Sequence, residues 1–309
     1  MNDFLAKDFI QTPEGLIFAV VEQGLEQGKI LCFLRYQLTD TGLTKLKTDA
    51  ANQLLAREYP QYLFFSPRKA AHLHAVAVND VQYHYQPKAV LQQLLNKKSP
   101  DLIEQDCIAL CTLLAEKGFD LSAIGVTGSL LIEAQSSASD IDLVVYNREV
   151  FHQLRAVIEQ CIAEGSLTHL DTNAWQDSYQ RRECDLSFDA YVWHEQRKFN
   201  KALINGRKFD ISLVNSGIDD AAIQYKKHSH QVLQLKVINA DYAFDYPARF
   251  IVEHDEIDEV VCYTATYTGQ AVVGEIIEVA GVLETTAATK RILVGSSREA
   301  IGEYIKVIR

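Results

Sequence analysis

The residues best suited to chemistry lie in the segment GVTGSLLIEAQSSASDIDLVVY, residues 125–146. Asp140 and Asp142 are two residues apart at the start of an apolar, strand-like run, so both carboxylates project from one face. Two carboxylates this close repel each other unless a cation lies between them. Mg²⁺ is a hard ion that takes oxygen ligands. The pair therefore predicts one wall of a metal site.

A structural role for the two acids is the main alternative. Asp140 could cap a turn or pair with an arginine, and Asp142 could be a polar residue of an edge strand. However, Asp142 stands between Ile141 and Leu143 inside an otherwise apolar run. A buried, unpaired charge costs several kcal/mol. The surroundings of Asp142 therefore weaken the structural alternative without removing it.

Gly128 and Ser129 follow a short predicted strand, Ile124 to Thr127, and precede a predicted helical segment. The start of a helix presents free N–H groups and the positive end of a dipole, which suit a polyphosphate. Glycine permits close approach of the backbone, and the serine hydroxyl can donate to a phosphate oxygen. Ser129 could equally be a simple N-cap. The pair becomes informative because Asp-Ile-Asp follows after ten intervening residues.

Asp210 is the third candidate acid, a single carboxylate between Phe209 and Ile211 in a second apolar strand. If this strand neighbours the one over residues 141–146, three carboxylates converge. Such a set can hold two Mg²⁺ ions about 3.5–4 Å apart for in-line phosphoryl chemistry. Mn²⁺ could take the same ligands.

The elements that must position these acids divide the chain into three predicted domains. Residues 1–98 form a β-rich α/β accessory domain that begins with a hairpin, and residues 99–230 form the catalytic domain. Residues 231–309 form a small β-barrel-like domain of short strands and turns. We therefore expect an α+β fold in which a central mixed sheet with helices is flanked by two smaller β-rich domains.

Composition limits the partners of this chain. Its 41 acidic and 30 basic side chains give a formal net charge of −11, which disfavours a broad nucleic-acid surface but allows a local basic pocket. No apolar run approaches the roughly 20 residues of a membrane span, and the N-terminus lacks a secretory signal pattern. We expect a cytoplasmic protein with no membrane partner, in which six scattered cysteines are reduced and buried.

These motifs resemble the signature of the DNA polymerase beta-like nucleotidyltransferase superfamily. That signature consists of Gly-Gly or Gly-Ser, a spacer of about ten residues, Asp-x-Asp and a third acid on a later strand. The resemblance covers roughly residues 105–215, about a third of the chain. Elsewhere the chain is similar to an uncharacterised, mostly archaeal group of predicted nucleotidyltransferases, a similarity that the stretch VGSSREAIGEY supports weakly. The resemblance implies that the central sheet is of the nucleotidyltransferase type.

The resemblance also implies roles for the residues. Asp140 and Asp142 would ligate both metal ions, and Asp210 would ligate the catalytic ion and help to deprotonate an acceptor hydroxyl. Gly128 and Ser129 would bind the β- and γ-phosphates of a nucleoside triphosphate such as ATP. The acceptor would attack the α-phosphorus and release pyrophosphate. The accessory domains favour a macromolecular acceptor, RNA or a protein.

Arg197 and Lys201 are further candidate nucleotide ligands. They are four residues apart on a helix predicted over residues 187–202, so they would share a face and could meet a triphosphate. The alternative is a solvated face paired with Glu195 and other acids. A second function also stays open, a non-catalytic nucleotide- or RNA-binding module on the same fold, against which the complete set of three acids argues.

Overall fold

The computed structural model describes residues 4–68, 71–182, 184–214, 225–296 and 300–308. Helices and sheets are mixed along these ranges, which is compatible with the predicted α+β class. The contacts divide the chain into two compact units, Met1–Val157 with Ile204–Ser216 and Ile158–Leu203 with Gly217–Arg309. The three domains and the nucleotidyltransferase type of the central sheet stay predictions.

The N-terminal part of the first unit forms an antiparallel sheet. Within the described residues its strands are β1 (Phe9–Gln11), β2 (Leu16–Val20), β3 (Lys29–Thr39), β4 (Gly42–Lys45), β5 (Leu63–Ser66), β6 (Ala71–Ala77) and β7 (Tyr83–Tyr85). Their order is β5-β6-β3-β2-β1-β7, and β4 pairs with β3. The antiparallel pair β2–β3 confirms the predicted hairpin. Gly24 and Gly28 both take positive φ in its connection, which glycine adopts without a steric penalty.

The first described helix packs against this sheet, and two more lie between this sheet and the central one along the chain. They are α1 (Thr48–Glu58), α2 (Pro87–Leu95) and α3 (Leu102–Glu116). Asp101 begins α3: its carboxylate accepts hydrogen bonds from the backbone N–H groups of Ile103 and Glu104. The Glu104 side chain accepts in return from the Asp101 N–H. This reciprocal capping satisfies donors that a helix start leaves free, which explains why the helix begins there.

The central sheet carries the predicted acids. Its described strands are β8 (Ile124–Thr127), β9 (Ile141–Val145), β10 (Lys201–Ile204) and β11 (Arg207–Leu213), in the order β10-β11-β9-β8. Strand β8 is antiparallel to β9, whereas β11 is parallel to it. The sheet is therefore mixed, as predicted. Every residue of β9 is buried except Asp142, which is partly buried.

Two predicted helices are wrong in extent. The segment after Ser129 forms only a 3₁₀ turn over Leu130–Ile132, and Glu133 ends it with a φ of 53°. Leu131 and Ile132 are buried against residues of the N-terminal sheet, and this burial overrides the local helical pattern. The remaining described helices are α4 (Arg148–Glu164), α5 (Thr172–Arg182) and α6 (Phe188–Gln196). Helix α6 thus ends well before residue 202.

The C-terminal part of the second unit forms a closed sheet. Its described strands are β12 (Lys226–Asn239), β13 (Ala248–Glu253), β14 (Glu259–Cys262), β15 (Ile276–Thr285), β16 (Lys290–Val294) and β17 (Tyr304–Val307). Strands β12, β13, β14, β16 and β15 follow one another around the sheet, and the β12–β15 pairing closes the ring. This agrees with the barrel predicted from short strands and turns. The weakly supporting stretch VGSSREAIGEY lies partly outside the described residues, since it includes residues 297–299.

Membrane-spanning helices and the state of the cysteines were both addressed by predictions from the sequence. Across the described ranges, no helix has both the length and the hydropathy that crossing a membrane would need. All six cysteines are free thiols, and all are buried except Cys184, which is partly buried. The prediction of reduced cysteines in apolar surroundings therefore agrees with the structure.

Candidate functional site

Strands β9 and β11 place two predicted carboxylates side by side. They pair in parallel register with Asp142 opposite Asp210, which confirms the predicted pairing of the two strands. Asp140 lies two residues before Asp142, and Lys208 lies two residues before Asp210. Because side chains alternate along a strand, these four residues share one face of the sheet. We call them the carboxylate face.

Lys208 bridges two of the three acids of the carboxylate face. Its Nζ lies 2.7 Å from Oδ2 of Asp140 and 3.4 Å from Oδ2 of Asp210. The carboxylates of Asp140 and Asp210 therefore lie on either side of one ammonium group. Sequence analysis did not assign Lys208 a role, although Lys-x-Asp on β11 has the same two-residue spacing as Asp-x-Asp on β9. That matched spacing is the signal that could have found it.

Asp142 lies in surroundings that disfavour its charge. Burial raises its pKa, and the carboxylates of Asp210 and Asp140 raise it further, while the ammonium groups of Lys7 and Lys208 act in the opposite direction. The outcome is a pKa of about 6. The protein's own cations therefore do not neutralise this carboxylate, and the face is short of positive charge.

Gly128 lies directly against Asp142. Strand β8 ends with Thr127 opposite Asp142, and Gly128 follows with a φ of 67°. A Cβ at residue 128 would overlap Oδ2 of Asp142 and lie 3.2 Å from its Cγ. Only glycine suits both the backbone angle and this close approach. The predicted phosphate-binding bend and the predicted metal ligands therefore meet in one place.

Ser129 follows this bend but does not act as a helix cap. Its side chain makes no capping hydrogen bond, and its φ and ψ are already those of a right-handed helical residue. The simple N-cap alternative is therefore wrong. The 3₁₀ turn that follows is also too short to act as a helix dipole, so only the backbone and the hydroxyl of this segment can contribute to anion binding.

The carboxylate face suits a divalent cation in its chemistry and its charge. Its acceptors are all carboxylate oxygens, which Mg²⁺ and Mn²⁺ prefer. In the described part of the chain, however, no three Asp, Glu, His or Cys side chains are already grouped as a metal site. Asp140 and Asp210 instead share the ammonium of Lys208. A metal ion here would replace Lys208 as their counterion.

Arg197 and Lys201 belong to the second unit, where each pairs with a carboxylate. Arg197 donates to Glu275 at 2.5 Å, and its guanidinium stacks on the ring of Trp193, 4.3 Å from the centroid. Lys201 is buried and pairs with Glu195. The two do not share a helix face, because α6 ends at Gln196 and Lys201 begins β10. Their nucleotide-binding role stays a prediction.

Lys7 is a further residue that sequence analysis did not find. Its side chain is exposed, and its ammonium is close enough to lower the pKa of Asp142. The Thr127 hydroxyl donates to its carbonyl oxygen at 2.8 Å. No motif signals this residue, because its place beside the carboxylate face depends on a contact across 120 residues of sequence.

The sequence as a whole is similar to the uncharacterized protein MJ1086 of Methanocaldococcus jannaschii. The two are 30% identical over 336 residues, and the alignment covers 98% of each chain. The chain belongs to the MJ1086 family. No protein-family model matches the chain, and no solved structure shows a significant match. The name of the MJ1086 family specifies no reaction, so function is inferred from the site.

Proposed function

We propose that this protein is a metal-dependent nucleotidyltransferase, which moves a nucleoside monophosphate from a nucleoside triphosphate to an acceptor hydroxyl. One observation carries the proposal: Asp142 and Asp210 pair in register on adjacent strands, and Gly128 packs against Asp142. This arrangement joins in space the three sequence elements that resemble the nucleotidyltransferase signature. The proposal is therefore supported by geometry in addition to spacing.

Asp140, Asp142 and Asp210 would hold the metal ions, two Mg²⁺ or Mn²⁺. When bound, such ions supply positive charge that stabilises the entering and leaving oxygens of an in-line displacement. The raised pKa of Asp142 supports this assignment, because burial and then the neighbouring carboxylates of Asp210 and Asp140 disfavour its charge, which a bound cation would stabilise. Lys208 would have to release Asp140 and Asp210, and its long flexible side chain can do so without a backbone change.

The chain's own groups supply the remaining steps. Asp210, whose side chain is 22% exposed, accepts the proton of the acceptor hydroxyl as that oxygen bonds to the α-phosphorus. The bond from the α-phosphorus to the bridging oxygen breaks, and pyrophosphate leaves with the electron pair. The backbone at Gly128 and the Ser129 hydroxyl bind the β- and γ-phosphates. We assign RNA or a protein as the acceptor, because the described residues form two further β-sheets in addition to the central one.

The alternative is a non-catalytic nucleotide- or RNA-binding module. The Lys208 ammonium between Asp140 and Asp210 favours it, since a lysine that permanently replaced the metal would leave binding without turnover. Titration calorimetry with ATP and Mg²⁺, run beside a pyrophosphate-release assay, separates the two functions. Binding accompanied by pyrophosphate release in the presence of acceptor supports the enzyme, and binding without release supports the module.

Transfer of label tests the enzyme directly. The protein is incubated with each α-labelled nucleoside triphosphate, Mg²⁺ or Mn²⁺, and total cell extract as the source of acceptor. We expect metal-dependent labelling that Asp142→Asn lowers about 1000-fold, because the variant loses a charge that holds the ions. Asp49→Asn, an exposed acid on α1, is the matched control and should label normally. Wild-type labelling by Asp142→Asn, or none by the wild type with any triphosphate, would refute the proposal.

A further inference from the structure

We propose that Lys7 binds the β- and γ-phosphates of the triphosphate, as a cation that the N-terminal segment delivers to the carboxylate face. The inference rests on the proposed function and deepens it by naming a binding residue outside the predicted catalytic domain. It replaces the helix dipole as the source of positive charge for the phosphates, since the segment after Ser129 forms only a short turn.

The backbone of Lys7 is fixed to the end of the strand that bears Gly128. Its N–H donates to the carbonyl of Val20 at 3.0 Å, and its carbonyl accepts from the hydroxyl of Thr127 at 2.8 Å. Thr127 immediately precedes Gly128 and stands opposite Asp142. Lys7 is therefore held beside both the bend and the carboxylate that the bend touches.

The turn that presents Lys7 is strained and firmly held. Lys7 has a φ of 75°, a left-handed conformation that costs a non-glycine residue on the order of 1 kcal/mol or more. The next residue, Asp8, is buried and fixes the turn: its carboxylate accepts from the Leu5 N–H at 3.0 Å and pairs with His84 at 2.7 Å. Strain that the surroundings enforce is typical of functional sites. Here its result is an exposed ammonium.

Lys7 and Lys208 differ in what their ammonium groups contact. Lys208 is bound to Asp140 and Asp210. Within the described residues, the Lys7 ammonium forms no ion pair at bonding distance, although it acts on Asp142 electrostatically. A lysine ammonium is a mobile point charge suited to phosphate oxygens. Lys7 can therefore take a phosphate without giving up a bonded partner.

Phosphate binding and general charge compensation predict different effects of substitution. If Lys7 only offsets the acids, its loss weakens the binding of all anions alike. If Lys7 binds the triphosphate, its loss weakens mainly the binding of ligands with a polyphosphate tail. Inorganic tripolyphosphate and orthophosphate are therefore suitable probes, because they differ in this tail and contain no base.

The experiment uses the full-length protein with Mg²⁺ and titration calorimetry. We expect Lys7→Met to weaken tripolyphosphate binding about tenfold relative to orthophosphate, and Lys7→Arg to recover most of the loss. Lys45→Met, an exposed lysine on β4, is the matched control and should behave as the wild type. Lys7→Gly serves as a second charge deletion, because glycine accepts the positive φ and should fold even where methionine is strained.

Three outcomes keep the two proposals apart. A tenfold loss in both Lys7→Met and Lys7→Gly, together with a raised KM for the nucleoside triphosphate, supports Lys7 as the phosphate ligand. Equal weakening of both probes, or no change, overturns this role while label transfer by the wild type leaves the proposed function intact. A wild type that neither transfers label nor prefers tripolyphosphate overturns both.

Discussion

The buried cluster around Glu195 and the carboxylate face carry opposite excesses of charge. The Glu195 cluster has more ammonium groups than carboxylates. In the second unit, Glu195 pairs with Lys198 at 2.5 Å and with Lys201, and all three side chains are buried. Burial alone would raise the pKa of Glu195, but the two ammonium groups outweigh it and lower the pKa to about 2. Lys198 also donates to the carbonyl of Thr266 at 2.9 Å. The carboxylate of this cluster therefore has more than enough neighbouring positive charge, and burial lowers the pKa of Lys198.

The carboxylate face has an excess of negative charge. Asp140 and Asp210 share the bridging ammonium of Lys208, and Asp142 has a pKa of about 6 instead of the ordinary 3.8. Unlike the Glu195 cluster, the face is only partly buried, so solvent ions can reach it. The difference separates two kinds of charged cluster. In one, the carboxylate already has two bonded ammonium groups, whereas in the other the carboxylates outnumber the bonded ammonium groups and are suited to take a cation from solution.

The largest expected effect is on the buried cluster. Glu195→Gln removes the carboxylate between two buried ammonium groups, so we expect the free energy of unfolding to fall by about 3–5 kcal/mol. Urea unfolding at pH 7.5 measures it. Glu253→Gln is the control, because its partner Lys236 and Glu253 itself are mostly exposed and such pairs contribute at most about 1 kcal/mol. Equal losses in the two variants would contradict the comparison.

Removing a charge from the carboxylate face should have the opposite effect on stability, an increase in the free energy of unfolding. In chelator at pH 7.5, we expect Asp142→Asn to raise the free energy of unfolding by up to about 3 kcal/mol. The folded-state pKa of about 6 lies above the ordinary 3.8, so ionised Asp142 destabilises the fold fully above pH 6. That cost declines as pH falls below 6 and disappears below 3.8, where the residue is protonated in both states.

Urea unfolding from pH 7.5 to pH 4 measures this gain, with Asp49→Asn as control. The gain should shrink through the window between pH 6 and pH 4. A variant less stable than the wild type at pH 7.5, or a gain that does not depend on pH, would show that Asp142 is already compensated in the metal-free protein.

The smallest expected effect concerns Lys208. Its ammonium competes with a metal ion for Asp140 and Asp210. We expect Lys208→Met to tighten Mn²⁺ binding about tenfold, since the variant no longer places a like charge at the ion's position. Calorimetry or the free Mn²⁺ spin-resonance signal measures it, with Lys45→Met as control. Unchanged or weaker binding would mean that Lys208 does not occupy the cation's position.

Local patterns predict the parts of the site that a single strand determines. The strand Ile124–Thr127 agrees residue by residue, and Asp142 and Asp210 fall on neighbouring strands. Local sequence patterns do not predict structure correctly where contacts between residues far apart in the sequence determine it. Burial of Leu131 against the N-terminal sheet reduces a predicted helix to a 3₁₀ turn. Lys7 reaches the site through a hydrogen bond to a residue 120 positions away.

The parallel pairing of β9 with β11 has a consequence for synthesis on the ribosome. Strand β9 has a partner on one side in β8, but its other edge stays uncovered until β11 emerges, after α4, α5, α6 and β10 have been made. At about 5–20 residues per second this wait lasts some seconds. Through that time a largely apolar strand edge is open to other chains. A nascent chain stalled in this interval would be a natural client for a chaperone.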